Sequence, residues 1–252
     1  MRRLLLSIIM ISASLAAFAQ EVEFTADRPG ASTGPATVWQ GVIQLEQGVQ
    51  YDGIGDGYGQ FTFSNTLFRY GLFDGVELRL GGDALIHHTY DKWQPAFAGL
   101  AVGTKISCFE GRGAIPAISV LADFAIPGTA GNGFETEHLA PSLYLLFENS
   151  VNNWLSIGYN AGAEWDGSTP APTTFVALCL GFSISERLGC FAESYNYFGK
   201  AGNSYCADFG LNYMAGERVQ LDVAANLDVC NPKQCWAVSL GVAWQINNPK
   251  TK

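Results

Sequence analysis

The strongest constraint on the fold of this chain is an alternation of apolar and polar residues. In the stretch GVIQLEQGVQY at 41–51, the apolar positions are Ile43, Leu45, Val49 and Tyr51, and Gln44, Glu46, Gly48 and Gln50 lie between them. A period of two is typical of a β-strand with one apolar and one polar face. The pattern recurs almost to residue 246, so the sequence predicts an all-β protein.

The pattern divides the chain into twelve predicted strands. Their ranges are 41–51, 59–71, 75–86, 96–108, 114–126, 139–149, 153–165, 173–184, 187–198, 204–214, 217–228 and 234–246. Each has roughly the ten residues that a tilted strand needs to cross a bilayer. An even number suits a single-chain bacterial barrel. The predicted fold is an antiparallel, transmembrane, up-and-down β-barrel of about 12 strands, over residues 41–246, with a C-terminal tail at 247–252.

The connections between these strands alternate in length. Short turns are predicted at 72–75, 109–113, 150–152, 185–186 and 215–216, and longer loops at 52–58, 87–95, 127–138, 166–172, 199–203 and 229–233. Outer-membrane barrels have short periplasmic turns and longer outer loops. The order predicts an N-terminus in the periplasm.

Composition and aromatic placement decide which face meets water. Charged residues make up 15% of the chain, against roughly 25% in a typical soluble domain. Tyr and Trp cluster at strand ends, at Tyr51, Tyr70, Trp154, Trp165, Tyr213, Trp236 and Trp244. A soluble sandwich or lipocalin would bury its apolar faces, whereas aromatic girdles mark the two interfaces of a membrane barrel. We therefore predict that the apolar face meets lipid and the polar face lines a lumen.

The first residues predict export. Arg2 and Arg3 precede an apolar run, and Ala17-Phe18-Ala19 forms a cleavage site, so 1–19 is predicted to be a cleaved signal peptide. The alternative is a membrane anchor, for which the run is short. The predicted location is the outer membrane of a Gram-negative bacterium, with outer-membrane lipid and the barrel-assembly machinery as partners. A formal net charge of −9 argues against nucleic acid as a partner.

The polar face carries charges of both signs. The candidates for lining the lumen are Glu46, Arg69, Glu77, Arg79, Lys105, Asp123, Glu148, Glu164, Glu193, Asp208 and Asp222. Charges on a lumen wall tune which solutes pass. The alternative is structural, because opposed ion pairs can fill and stiffen a narrow barrel, and the closeness of Arg69, Glu77 and Arg79 to one tight turn favours mutual pairing.

Residues 20–40, the N-terminal segment, lack the period of a strand. A periplasmic segment of this kind could fold into the lumen as a plug, with Asp27 and Arg28 meeting charges of the wall. The alternative is a loose periplasmic tail.

Six cysteines in an exported chain suggest oxidised pairs. Cys230 and Cys235 share one predicted outer loop and are the disulfide candidate, while Cys108, Cys179, Cys190 and Cys206 could not be paired. No C-x-x-C pattern is present, and neither a metal nor a cofactor is indicated.

Five stretches resemble the bacterial outer-membrane transporter family named for the meta-pathway of phenol degradation. They are ADRPG (26–30), GVIQLEQG (41–48), LFRYGLFDGVELRLG (67–81), APSLYLLF (140–147) and VQLDVAANLD (219–228). The resemblance implies an outer-membrane barrel that takes up small, often hydrophobic compounds.

Three functional hypotheses follow. The first is a passive channel or uptake protein for small, hydrophobic or aromatic molecules, with no cofactor. The second is a closed structural barrel whose outer loops bind partners. The third is a lipid-modifying enzyme using His87, His88 or His138, but the H-x-S arrangement of the barrel phospholipase is absent, so we expect no catalytic residues.

Overall fold

The computed structural model describes residues 24–55, 58–89, 92–233 and 235–247. The predicted signal peptide (1–19), the first residues of the N-terminal segment (20–23) and residues 248–252 of the predicted tail lie outside this part of the chain. Within the described ranges, no helix has both the length and the apolar character needed to cross a membrane.

Twelve antiparallel strands form a closed barrel. They are β1 Ile43–Gly55, β2 Tyr58–Phe73, β3 Val76–Thr89, β4 Lys92–Phe109, β5 Ala117–Ala125, β6 Ala140–Asn152, β7 Leu155–Glu164, β8 Thr173–Ser183, β9 Leu188–Gly199, β10 Gly202–Met214, β11 Val219–Asp228 and β12 Trp236–Gln245. Each strand pairs with its neighbours in sequence, and β1 pairs with β12 from Gln44↔Gln245 to Gly53↔Trp236. The ring has no open edge, which confirms the predicted fold class.

The two faces of the wall differ in chemistry as predicted. On β11, Leu221 and Val223 are 46% and 37% exposed, whereas Gln220 and Asp222, which alternate with them, are buried. On β12, Leu240 is 55% exposed and Ser239 is buried. Since successive strand residues point to opposite faces, the apolar side chains cover the outside of the barrel and the polar ones point inward.

Aromatic residues also lie where the sequence predicted them. Six of the seven end-of-strand aromatics are exposed on the outer surface, namely Tyr51, Tyr70, Trp154, Tyr213, Trp236 and Trp244. Trp165 is partly buried, and its indole N–H donates to the carbonyl of Pro170 in the following loop. Trp236 and Trp244 begin and nearly end β12, so they mark the two borders of its apolar band.

The predicted alternation of loop lengths is only partly correct. Strands β1, β3 and β9 run on to Gly55, Thr89 and Gly199, into the loops predicted at 52–58, 87–95 and 199–203. Strand pairing continues into these residues, since it gives backbone N–H and C=O groups partners within the sheet. The turn predicted at 109–113 is instead a longer connection, over 110–116.

The predicted disulfide between Cys230 and Cys235 is absent from the structure, where both are exposed free thiols. Other bonds close this loop. The Asp228 N–H donates to the Cys235 carbonyl at 2.9 Å, and the Cys230 N–H donates to the Asp228 carboxylate at 2.7 Å. The ends of the loop are therefore held together without a covalent bridge.

We expect Leu240→Arg to destabilise the barrel in lipid. Leu240 lies midway between Trp236 and Trp244 on the outer face, and an arginine at the bilayer midplane costs about 2–4 kcal/mol. The free energy of unfolding is measured by urea titration in lipid vesicles. The control is Glu217→Arg in the exposed β10–β11 turn, where we expect a change within about 0.5 kcal/mol. Equal effects of the two substitutions would contradict the assignment of faces.

Candidate functional site: a charge cluster and the N-terminal segment inside the barrel

The two-residue turn between β2 and β3 sets the register of the site. Gly75 has a φ of 73°, a conformation that glycine adopts without steric cost. The turn brings Arg69 opposite Arg79 and Gly71 opposite Glu77. On the next strand, Lys105 lies opposite Glu77. Four charged side chains from three adjacent strands therefore point into the lumen at one place.

The structure places Asp27 of the N-terminal segment at the centre of these charges. Its carboxylate accepts from Lys105 Nζ at 2.6 Å and from Arg79, and it lies 3.5 Å from Arg69. Burial alone would raise the pKa of Asp27, but the positive charges of Arg69, Lys105 and Arg79 outweigh it and hold the pKa well below its ordinary value. Asp27 therefore stays ionised.

Arg69 on β2 is a buried cation of the barrel wall that also lies beside Asp27. Its side chain is fully buried and donates to Glu77 at 2.7 Å and to Glu46 at 2.9 Å. We call the six residues the charge cluster: Asp27, Glu46, Arg69, Glu77, Arg79 and Lys105. Arg79 also bonds Asp123 at 3.3 Å. This pairing is the arrangement expected if the inward charges fill and stiffen the barrel, which was the alternative to a role in solute selection.

Arg28 lies over the β1–β12 seam and contacts the strands on either side of it. Its guanidinium lies 3.2 Å from the Asp222 carboxylate and donates to the Asn65 side chain at 2.9 Å. Gly48 and Gly241 make room for it, because a Cβ at either position would overlap the guanidinium. Glycine at these two inward strand positions was a signal that the sequence analysis did not use.

The rest of the N-terminal segment is also bonded to the inner wall. Glu193 on β9 accepts from the Ala31 and Ser32 N–H groups and from the Ser32 hydroxyl. The Thr33 N–H donates to Asn160 on β7 at 2.8 Å. The Ser119 hydroxyl on β5 donates to the Pro35 carbonyl. The segment therefore lies inside the barrel and touches both halves of its wall.

Where the N-terminal segment leaves the lumen and leads into β1, its apolar side chains are buried. Val38 and Val42 are each 2% exposed, and the Val38 N–H donates to Glu77 at 2.8 Å. A Cβ at Gly71 would overlap the backbone of Trp39. These contacts fix the direction from which the chain enters β1.

A cavity of about 790 Å³ remains between the segment and the turns at the periplasmic end. It is bounded by Pro35 and Trp39 on one side and by Arg112 and Glu148 on the other. The N-terminal segment therefore fills the lumen incompletely on the β4–β6 side.

The remaining predicted lumen residues are Glu148, Glu164 and Asp208, and aromatic side chains lie on the same inner wall. Glu164 on β7 accepts from the Tyr144 hydroxyl. Asp208 on β10 is 3% exposed and lies opposite Glu193, while Glu148 borders the cavity. We call Tyr144, Phe175, Tyr195 and Tyr197 the aromatic patch. The sequence analysis missed it, although Tyr195 and Tyr197 share the inward parity of Glu193.

The histidines do not form one site. His87 and His88 are neighbours on β3 and so point to opposite faces. His87 stacks on Phe134 and His88 contacts Trp93, with ring centroids 5.8 and 4.9 Å apart. The described residues contain no group of His, Cys, Asp and Glu side chains arranged to hold a metal ion.

Comparisons with known proteins agree with this architecture. A family model described as "Putative MetA-pathway of phenol degradation" matches residues 26–246. No curated protein matches the chain by sequence.

Three solved structures share the fold at low sequence identity. An outer membrane channel from Pseudomonas putida F1 has a TM-score of 0.60 and 10% identity, covering 86% of this chain and 98% of that one. The KdgM porin in complex with disordered oligogalacturonate has a TM-score of 0.54 and 12% identity, covering 82% of this chain and 99% of that one. The NanC porin has a TM-score of 0.55 and 8% identity, covering 81% of this chain and 100% of that one. The chain therefore has the fold of bacterial outer-membrane channels.

We expect Arg69→Met to destabilise the barrel by about 3–5 kcal/mol, because removing one partner leaves the buried carboxylates of Glu77 and Glu46 without their cation. Adding Glu77→Gln removes one of those charges, so the double variant should lose less than the two single variants together. Urea unfolding in vesicles measures both. Arg112→Met, at an exposed turn position, is the control and should change stability by less than about 0.5 kcal/mol. An Arg69→Met barrel as stable as this control would show that the cluster contributes nothing.

Proposed function

The chain belongs to the family described as "Putative MetA-pathway of phenol degradation", and from this membership we propose that it is a passive outer-membrane channel for small molecules. The Gram-negative outer membrane is the proposed location, with lipid around the wall and the barrel-assembly machinery as the partner in insertion. We propose that transport needs no catalytic step and no cofactor, and that a concentration gradient drives it.

The observation that carries the proposal is the division of the wall into an apolar outside and a polar inside. Leu221, Val223 and Leu240 face outward, and Gln220, Asp222 and Ser239 alternate with them on the inner face. A soluble barrel would have the reverse arrangement, with its polar face in water. A wall of this kind separates lipid from a lumen through which polar groups can pass.

We propose that the N-terminal segment is a plug that restricts this lumen. The support is its anchoring by charge pairs on either side of the β1–β12 seam, from Asp27 to Lys105 on β4 and from Arg28 to Asp222 on β11. The cavity beside Pro35 and Glu148 shows that the segment does not fill the periplasmic end of the lumen on the β4–β6 side. The segment would then narrow the channel rather than seal it.

The aromatic patch supports solutes with an apolar or aromatic part. Its rings contact one another at 5.2–6.1 Å between centroids and lie on the inner face of β6, β8 and β9. Aromatic faces attract flat apolar groups and cations. A pore that passes only hydrophilic solutes would not need four aromatic side chains on its inner face.

The test is planar-bilayer conductance of refolded protein beginning at residue 20, beside a variant lacking residues 20–36. This deletion removes Asp27 and Arg28 but keeps Val38 and Val42, which are buried against the wall. We expect small steps from the longer protein and larger, cation-preferring steps from the deletion variant, because the lumen wall carries more carboxylates than cations.

A matched point variant separates unplugging from damage to the barrel. Asp27→Asn removes the central anchor without shortening the chain, and we expect it to flicker between the two conductance levels. Glu217→Gln, in an exposed turn, is the control and should behave like the parent. Silence from the parent and from the deletion variant alike would overturn the channel proposal and favour the closed structural barrel.

A further inference from the structure

The positive charges of the lumen are confined to one side of the barrel. Among the described residues, the basic side chains that point into the lumen are Arg28, Arg69, Arg79 and Lys105. Each is already paired with a carboxylate of the charge cluster or with Asp222. Every other described Lys or Arg is exposed at a turn, a loop or a strand end. The inner face of β6–β10 therefore has no basic side chain from the described residues.

Two carboxylates face each other on that side. Asp208 on β10 and Glu193 on β9 are directly opposite in the ladder, and both are at least nine-tenths buried. Glu193 is satisfied by the Ala31 and Ser32 groups, but Asp208 Oδ1 is buried and has no hydrogen-bond partner among the described residues. Like charges directly opposite on neighbouring strands destabilise a sheet, and a buried acceptor without a partner is costly. A cation that donates an N–H group to Asp208 would remove both penalties.

The aromatic patch begins one inward position further along the same strands. Tyr195 on β9 follows Glu193 on the inner face, and Tyr197 follows Tyr195. Tyr197 lies opposite Phe175 in the ladder, and Tyr144 packs edge-on against Phe175 at 5.6 Å. Since inward positions on one strand are roughly 7 Å apart, the rings extend from the Asp208–Glu193 pair toward the outer end of the barrel.

A third carboxylate lies at the other end of the patch. Glu164 accepts from the Tyr144 hydroxyl and is opposite Thr173 at the outer end of β8. The four rings of the aromatic patch therefore lie between the Asp208–Glu193 pair at one end and Glu164 at the other. Aromatic faces bind cations through the ring quadrupole, and the attraction grows when the site is desolvated.

We propose that the aromatic patch and the Asp208–Glu193 pair form a binding site for an organic cation, an ammonium group that carries an apolar or aromatic substituent. The ammonium lies beside Asp208 Oδ1, and the substituent packs on Tyr195 and Tyr197. The inference rests on the proposed channel function, because the solute must enter the lumen, and it names the solute class. It is not a site for a bare metal ion, since rings make up most of its lining.

Binding is measured by isothermal titration calorimetry on the refolded chain in nonionic detergent, with benzylammonium, which carries N–H donors, as the probe. Benzyl alcohol and phenylacetate are the matched neutral and anionic compounds, and empty micelles supply the blank. We expect benzylammonium to bind at least about tenfold more tightly than benzyl alcohol, because only the cation makes a charge-assisted hydrogen bond to the Asp208 carboxylate. Phenylacetate should not bind.

Three variants assign the contacts. Asp208→Asn keeps the shape and removes the charge, and should weaken binding of the cation about tenfold or more. Tyr197→Leu removes a π face and should weaken it about threefold or more, while Tyr197→Phe keeps the face and most of the affinity. Asp83→Asn, on β3 across the barrel, is the matched carboxylate control and should change affinity less than about twofold. Heat-modifiable gel mobility verifies that each variant is folded.

The outcomes separate this site from the channel proposal. Equal binding of benzyl alcohol, or an unchanged affinity in Asp208→Asn, overturns the cation site even if the protein conducts. Cation binding that depends on Asp208 in a protein that never conducts supports the site and overturns the channel. Conductance blocked by benzylammonium in the parent, and not in Asp208→Asn, supports both.

Discussion

The pairing of β1 with β12 is the interaction on which the rest of this structure depends. It turns a twelve-stranded meander into a ring, so that the backbone groups of the first and last strands are satisfied by each other rather than by water. Once the ring is closed, each strand has one face toward the outside and one toward an enclosed lumen. Every charged residue discussed above has its environment set by that division.

Closure also explains why so many charges can be buried. Arg69, Glu77 and Lys105 are fully buried, which would be unfavourable for isolated ions. They are tolerated because three strands place them beside one another and Asp27 enters from the N-terminal segment to complete the pairing. The segment and the wall therefore depend on each other: the wall supplies the cations, and the segment supplies the carboxylate between them.

The two sides of the lumen are chemically distinct. The β1–β4 side is filled by paired charges and by the N-terminal segment, and nearly every charged side chain there has a partner of opposite charge. The β6–β10 side is aromatic and acidic, with the unpartnered oxygen of Asp208 at its centre. A solute that passes through this barrel would meet a rigid, charge-balanced wall on one side and an electronegative, ring-lined wall on the other.

The family resemblance rests on short stretches whose role the structure makes visible. ADRPG contains Asp27 and Arg28, the two residues that tie the N-terminal segment to β4 and to β11. The stretch at 67–81 contains Arg69, Glu77 and Arg79, which receive Asp27. Two of the matching stretches are therefore the two halves of one ionic contact.

The sequence by itself determined the all-β class, the number of strands and which face of each strand is apolar, because a period of two is a local property that survives any arrangement of the strands. It also placed the eleven candidate lumen residues on one face. It misjudged the outer connections, since turn residues do not show how far paired strands continue beyond them.

Only the tertiary structure decided what those inward residues contact. Residues 27 and 105 are 78 positions apart in sequence, and nothing local shows that they meet at 2.6 Å. The same holds for the aromatic patch, because β8 is apolar on both faces and its sequence TTFVALCLGFS cannot show that Phe175 points inward. Barrel closure and register, which are long-range properties, fix both.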